Sequence, residues 1–291
     1  MSDTEFFDTE KNKVIGGTLY LVTTPIGNMS DMTYRAVKVL SEVDFVAAED
    51  TRNSARLLRF FSINKELVSY HEHNKKSAGE KILARLQSGE SCALVTDAGT
   101  PAVSDPGEDL VRLCADAGIP VTAAPGVSAA VTALTLSALD TRRFVFEGFL
   151  PVGGSERAER LAALQGETRT AILYEAPHKL RRTLADLAET LGGERRISLC
   201  RELTKLNEEV FRTTLADAAA YYTDAEPRGE YVLILAGAVE RGVQNAPWAS
   251  LSVAEHVDMY IAEGLTKSDA IKKAAKDRGV PKNVVYNEYV R

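Results

Sequence analysis

Between residues 18 and 126 the chain keeps repeating one pattern: a short apolar run, a break of small residues, then a stretch of helical spacing. The apolar runs are TLYLVT (18–23), DFVAAE (44–49), ELVSYH (66–71), SCALVTD (91–97) and PVTAAPG (120–126), all rich in β-forming residues. Helical spacing fills the intervals at 32–43, 53–61, 77–89 and 106–118, and again at 125–139. Ala36, Val39, Leu40 and Val43 share one face of the first of these. Strands separated by helices of this length pair in parallel, because a parallel neighbour needs a crossover of about a dozen residues or more. The pattern therefore predicts an α/β domain with a mainly parallel sheet covered on both faces.

After residue 139 the rhythm changes. Strands are expected at 144–150 and 170–176, with helices at 155–164 and 177–193. Three strands then follow at 196–203, 208–215 and 229–237 with little helix between them. Strands in near succession cannot be parallel neighbours, so the second domain should hold a mixed sheet. Residues beyond 238 lose periodicity, and helical patterns return at 251–264, 266–279 and 281–291 with the size and glycine turn of a helix-turn-helix. The expected organisation is a loose tail (1–16), an N-terminal α/β domain (17–127), a C-terminal α+β domain (128–238), a linker (239–249) and a small helical appendage (250–291).

No apolar run approaches the roughly 20 residues that span a bilayer, and the acidic, polar start MSDTEFFDTEKNK lacks the pattern of a signal peptide. Cys92, Cys114 and Cys200 lie far apart in apolar contexts, so buried free thiols and a cytoplasmic location are expected. The net charge of −6 argues against a general polyanion binder, yet its sign reverses locally. From Lys267 to Arg291 there are seven basic residues against three acidic ones, which points to an anionic partner handled at one end.

Three loops fall at the C-terminal edge of the expected parallel sheet, where open α/β folds bind ligands. TTPIGNMSDMT (23–33) reads as a turn punctuated by Pro25 and Gly27, with Ser30 or Asp31 as helix cap, or as a ligand loop. In AEDTRNSARLL (48–58), Glu49, Asp50 and Arg52 form either a cap with an ion pair or part of a site. VTDAGTPAVSDPG (95–107) brings Asp97, Gly99, Thr100 and Pro101 to the same edge without GxGxxG or GxxxxGK[ST], so it is no phosphate cradle. His71 and His73 would share one face of a strand. A zinc site needs more ligands than the remaining histidines offer, and no metal is expected. YEAPHKL (174–180) and RELTKLNEE (201–209) gather charged residues at strand ends, either a solvated edge or part of a site. GxSxG and a Walker lysine are both missing, so hydrolase and kinase chemistry lack their parts.

Together LYLVTTPIGNMSDMTYRA, AEDTRNSARLL, VTDAGTPAVSDPG, PGVSA, YEAPHKL, RELTKLNEE and RGEYVLIL resemble the ribosomal RNA small subunit methyltransferase I branch of the tetrapyrrole methylase superfamily, from about Gly17 to the C-terminus. The resemblance implies a two-domain fold with S-adenosylmethionine between the domains, a cytoplasmic homodimer, no membrane association, and a helix-turn-helix appendage. It implies methylation of the ribose 2′-hydroxyl of a decoding-centre cytidine in 16S rRNA of the small ribosomal subunit. Where porphyrin-precursor methylases carry Gly-Asp-Pro, this chain has Gly99-Thr100-Pro101, a departure favouring RNA over tetrapyrrole substrates. Cofactor contacts are then expected from Thr23, Pro25, Asp97, Gly99, Thr100, Ser128, Ala129, Tyr174, Ala176 and Tyr231. Candidates to help the hydroxyl lose its proton are Glu49, Asp50, His71, Lys205 and Glu208. Arg52, Arg56, Lys179, Arg181, Arg182 and Arg201, with Lys272 and Lys276 in the basic end, are expected to meet RNA. The competing readings are a tetrapyrrole methyltransferase, which needs no basic appendage, and a non-enzymatic, ligand-sensing nucleic-acid-binding regulator.

Overall fold

The computed structural model describes residues 13–238, 248, 251–278 and 280–290. Most of the expected tail and, apart from Trp248, the linker expected at 239–249 lie outside the described residues. The chain divides into two units: Met1–Gln165 with Arg169–Ala236, and Gly166–Thr168 with Gly237–Arg291.

The first unit holds two five-stranded sheets. Strands β1 (Leu19–Val22), β2 (Phe45–Ala48), β3 (Glu66–Ser69), β4 (Cys92–Val95) and β5 (Val121–Ala124) form the first, in the order β3-β2-β4-β1-β5. Every pairing is parallel. Alternation along each strand sends Tyr20, Val22, Val46, Ala48, Ala93 and Val95 to one face, against α1 (Tyr34–Glu42) and α2 (Thr51–Phe60). Leu19, Phe45, Ala47, Cys92 and Leu94 go to the other, against α3 (Lys75–Gln87) and α4 (Glu108–Asp116). The central strands β1, β2 and β4 are buried on both faces, which is why they read as continuous apolar runs. From β1 through β2 to β3 the chain steps one way along the sheet; through β4 to β5 it steps back. Right-handed crossovers therefore put the two helix pairs on opposite faces. Adjacent β1 and β4 send their connections in opposite directions, and a crevice opens beyond their C-terminal ends.

Two local expectations change. Residues Met29–Asp31 form a 3-10 turn capped by the Asn28 side chain, so the cap of α1 is not Ser30 or Asp31. It is Thr33, whose Oγ1 accepts the Ala36 N–H at 3.2 Å. Strand β3 also stops at Ser69 rather than running to His71. Asn74 accepts the His71 N–H at 2.8 Å and donates to the Ser69 carbonyl at 3.1 Å, folding 71–74 into a turn. His71 and His73 therefore meet edge-on with ring centroids 6.0 Å apart, rather than lining one strand face.

The second sheet comprises β6 (Phe144–Phe149), β7 (Thr170–Glu175), β8 (Arg196–Arg201), β9 (Glu209–Thr214) and β10 (Tyr231–Leu235) in the order β6-β7-β10-β8-β9. Only β6–β7 is parallel, so the sheet is mixed. One face packs Ile172, Cys200, Val232 and Ile234 against Ala130, Ala133 and Leu134 of α5 (Ala129–Leu136). The other packs Leu173, Leu199 and Leu233 against α6 (Gly154–Gly166), α7 (Pro177–Leu191) and α8 (Leu215–Asp224). Helix α8 was not expected between β9 and β10. TTL extends the β-rich run before it, but Thr214 accepts the Asp217 N–H at 3.2 Å and starts a helix there.

The second unit contains α9 (Val253–Ala262), α10 (Lys267–Asp277) and α11 (Lys282–Val290) around Val257, Tyr260, Ala270, Ile271, Ala274 and Val285. A reciprocal capping box of Ser252 and Glu255 starts α9. The three cysteines are buried free thiols. Among the described residues no helix is long and apolar enough to cross a membrane.

Candidate functional site

At the crevice the loops after β1 and β4 are tied together. Thr24 and Gly99 exchange backbone hydrogen bonds of 2.9 and 3.1 Å, and Thr24 Oγ1 donates to the Thr96 carbonyl at 3.1 Å. Thr23 Oγ1 lies 3.3 Å from Thr100 Oγ1. Gly99 has φ +83°, a left-handed conformation that a side chain would disfavour. Six non-glycine residues among those described have positive φ, and four of them flank one cleft: Ala102, Ser104, Glu202 and Thr204. Such conformations are costly and collect where the surrounding structure imposes a site.

That cleft has a volume of about 620 Å³. Ile26, Gly99, Thr100, Ser104, Asp105, Ser128 and Ala129 line it from the first sheet's loops and the start of α5. Phe149, Tyr174, Ala176, Glu202, Lys205 and Tyr231 line it from the second sheet. Tyr174 is fixed edge-on between Phe146 and Phe149, at centroid distances of 5.1 and 5.6 Å. Behind Ala176 a buried polar chain sets the wall. Glu175 accepts the Thr183 hydroxyl at 2.6 Å, and Arg157 donates to Thr183 Oγ1 at 3.1 Å and to Asp186 at 2.8 Å.

Lys205 crosses the cleft floor, with Nζ 2.9 Å from Glu202 Oε1 and 2.6 Å from Glu230 Oε2. Two glycines make room for this group. A Cβ at Gly27 would collide with the Lys205 side chain, and one at Gly229 would meet the Glu202 carboxyl. Beyond Lys205 lies a second pocket of about 480 Å³, lined by Pro25, Met29, Asn53, Arg56, Leu57, Phe60 and Asp97. It shares Ile26, Ala98, Lys205 and Glu230 with the cleft.

The structure sorts the residues singled out from the sequence. Gly99, Thr100, Ser128, Ala129, Tyr174, Ala176 and Tyr231 all line the cleft. Thr23 stands behind Thr100, while Pro25 and Asp97 line the second pocket instead. Of the proton-handling candidates, Lys205 alone lines these two cavities. Asp50 is the cap of α2, accepting the Arg52 N–H at 2.8 Å and pairing with the Arg52 guanidinium. Glu208 accepts the Thr204 N–H at 2.6 Å and closes the turn before β9. Glu49 and His71 line neither cavity. Among the expected RNA contacts, Arg56 lines the second pocket. Arg181 holds the end of α8 through the Tyr222 and Ala225 carbonyls, and Arg201 pairs with Glu209. Lys179 and Arg182 lie on α7, the latter 3.7 Å from Asp186, and Lys272 and Lys276 are exposed on α10. Sequence reading missed Ser104, Asp105, Phe149 and Glu230 in the cleft, and Asn53 and Phe60 in the pocket, while Glu202 belongs to the charged cluster already singled out at 201–209. The acid of VSDPG was a usable signal, since it sits in a loop already marked as a site.

The electrostatics separate these groups further. Burial, reinforced by the Glu49 carboxylate, pushes Asp105 up to about 6. Burial likewise raises Glu49, against the pull of the Asp97 N–H. Hydrogen bonds from Arg52 hold Asp50 down at about 2. Burial pulls the Lys205 ammonium down, but the Glu230 and Glu202 carboxylates outweigh it and leave it raised. Among the described residues no group of three or more His, Cys, Asp or Glu side chains is arranged to hold a metal ion.

A family model described as Tetrapyrrole (Corrin/Porphyrin) Methylases matches residues 18–219. The chain belongs to this family. Within it, the chain is 48% identical over 274 residues to the ribosomal RNA small subunit methyltransferase I of Halalkalibacterium halodurans, covering 94% of each. It is 46% identical over 270 residues to the protein of that name from Synechocystis, covering 93% of this chain and 96% of the relative. Among solved tetrapyrrole methylases, the fold resembles uroporphyrin-III C-methyl transferase from Thermus thermophilus complexed with S-adenosylhomocysteine. That match has a TM-score of 0.55 at 19% identity and covers 97% of that chain but 75% of this one.

Proposed function

We propose that this chain transfers a methyl group from S-adenosylmethionine to the ribose 2′-hydroxyl of a cytidine in the 16S RNA of the small ribosomal subunit. The observation that carries the reading is coverage. Relatives named for small-subunit rRNA match 93–94% of the chain, whereas the porphyrin enzyme leaves a quarter of it without a counterpart. Residues 17–127 and 128–238 are read as the two halves around the cleft, and 250–291 as the added RNA-handling part of a cytoplasmic homodimer.

The cleft's donor set suits the cofactor. S-adenosylmethionine has an amine, a carboxylate, ribose hydroxyls and an adenine but no phosphate, and no glycine-rich phosphate cradle is present. Thr100 and Ser128 offer hydroxyls, Asp105 a carboxylate, and Ile26, Phe149 and Tyr174 an apolar surface. When bound, the cofactor supplies a methyl group already activated by its sulfonium charge. The protein then contributes alignment of the attacking oxygen and exclusion of water. Lys205, at the junction of cleft and pocket, remains an ammonium at neutral pH. It therefore acts by stabilising negative charge on the attacking oxygen, not as the base. Glu230, 2.6 Å from Lys205 Nζ, is the adjacent carboxylate to which the hydroxyl proton can pass.

The test is transfer of tritiated methyl from S-adenosylmethionine to small ribosomal subunits lacking the modification, beside porphyrin precursors. The expected result is label in the RNA, at a ribose by mass spectrometry of the digested nucleosides. Label in the porphyrin alone would instead establish the tetrapyrrole reading.

A further inference from the structure

The second pocket has a composition that the cofactor cleft does not explain. It shares Ile26, Ala98, Lys205 and Glu230 with the cleft, so both cavities meet at Lys205. Its volume of about 480 Å³ is that of a site for one small ligand, within the roughly 300–1,000 Å³ typical of such pockets. One wall is apolar, made by Met29, Leu57 and Phe60. Phe60, the last residue of α2, is 64% exposed and meets the Phe61 ring in a T-shaped contact at a centroid distance of 5.0 Å. One turn earlier on the same helix face as Leu57, Asn53 Nδ2 donates to Asp97 Oδ2 at 3.0 Å. A carboxylate can accept about four hydrogen bonds, so this single bond leaves Asp97 able to take another. Arg56 adds a cation to the lining.

An aromatic face, a carboxylate acceptor and a cation together match the three parts of a nucleotide: base plane, base edge and phosphate. We propose that this pocket takes the base of the nucleotide being methylated, turned out of its RNA, with Phe60 stacking on the base and Asp97 accepting from an exocyclic amine. Arg56 meets the adjoining phosphate. The ribose then lies at the junction, where Lys205 faces its 2′-hydroxyl. Sequence-specific recognition of RNA commonly works this way, on unpaired bases splayed out and stacked on aromatic side chains. An acceptor at the base edge favours cytosine, which presents an amine there, over uracil, which presents an oxygen. This assignment moves Asp97 from the cofactor to the substrate. It rests on the rRNA-methylation reading.

The test uses the full-length protein carrying Phe60→Ala or Asp97→Asn, small subunits lacking the modification, and matched subunits with the target cytidine replaced by uridine. Methyl transfer is measured alongside S-adenosylmethionine affinity by calorimetry. Both residues are exposed, and retained cofactor affinity reports that the variants fold. The expected result is a loss of about tenfold or more in kcat/KM for cytidine subunits with Phe60→Ala. Asp97→Asn should erode the preference for cytidine over uridine, and cofactor affinity should hold within twofold in both. Unchanged kcat/KM and unchanged base preference would overturn the base pocket while leaving the proposed function standing. Loss of cofactor affinity in Asp97→Asn would return Asp97 to the cofactor and equally overturn it. No transfer by the unsubstituted protein would instead sink the rRNA reading itself.

Discussion

Lys205 shows how a single side chain acquires a role from its neighbours. Two carboxylates fix its ammonium, and glycines at 27 and 229 provide the space that they and its stem occupy. Lys205→Met should lower kcat for methyl transfer by about a hundredfold, the scale of losing one electrostatic partner of a developing anion, with cofactor affinity unchanged. Lys205→Arg should restore part of the rate, and single-turnover kinetics would separate the two. Asp105 carries the opposite lesson. Its native pKa of about 6 lies above the ordinary 3.8, so the folded protein holds that proton longer than the unfolded chain. Its contribution is therefore present in acid and lost as pH rises from about 4 through about 6. Asp105→Asn should raise stability at pH 8 by about 1–2 kcal/mol and do little near pH 4, read by urea unfolding at both pH values. The same substitution removes a carboxylate from the cleft and should weaken binding of the cationic cofactor at pH 8.

At the scale of elements, the cleft wall depends on a join between helices and strand. Arg157 of α6 is almost fully buried and links Asp186 and Thr183 of α7 to Glu175 at the end of β7. Removing one partner of such a chain leaves the others buried and unpaired. Arg157→Leu should cost about 2–3 kcal/mol by urea denaturation, somewhat below the full range for buried pairs because Asp186 is partly exposed. Since Ala176 and Pro177 hang from the same join, cofactor affinity should fall as well. Thr33→Ala, by contrast, removes the cap of α1 together with a long 3.4 Å bond to the Pro125 carbonyl, and should cost about 1 kcal/mol without touching that affinity.

For the whole molecule, the two units make separable predictions. Deleting 250–291 removes Lys272, Lys276 and the whole basic end, and should abolish subunit binding in filter assays while S-adenosylmethionine binding survives. The second unit also carries its own acid sensitivity. His256 is fully buried, accepts a hydrogen bond from Arg278 at 3.0 Å and stacks on Trp248 at 4.4 Å. Burial first, then the Arg278 guanidinium, lowers its pKa below 6.5. The folded form resists protonation, so this contribution is present above about 6.5 and is lost as pH falls through the native value. Trp248 is the only tryptophan in the chain. Its emission should change as the unit loosens in acid, and His256→Phe should suppress that change.

The sequence by itself determined what is local. All ten strands were legible as short β-rich runs, most plainly β2, β4 and β10, which are buried along their whole length and therefore apolar throughout. Near-succession of β8 and β9 implied an antiparallel pair for the same kind of reason, since no crossover fits between them. The loops carrying Gly99, Thr100, Ser128 and Tyr174 were legible as strand ends on one edge, and all four residues reach the cleft. Tertiary structure alone decided which of the charged candidates face that cleft. Asp50 and Glu208 have the composition of catalytic groups, yet backbone N–H groups nearby claim them as a helix cap and a turn closure. Asp105 and Glu202, by contrast, reach the cleft because loops with positive φ at Ala102, Ser104, Glu202 and Thr204 turn the chain there. A cap is satisfied within three or four residues, whereas a cleft is built by strands as distant in sequence as β1 and β10. Spacing along the chain reports the first and is silent about the second.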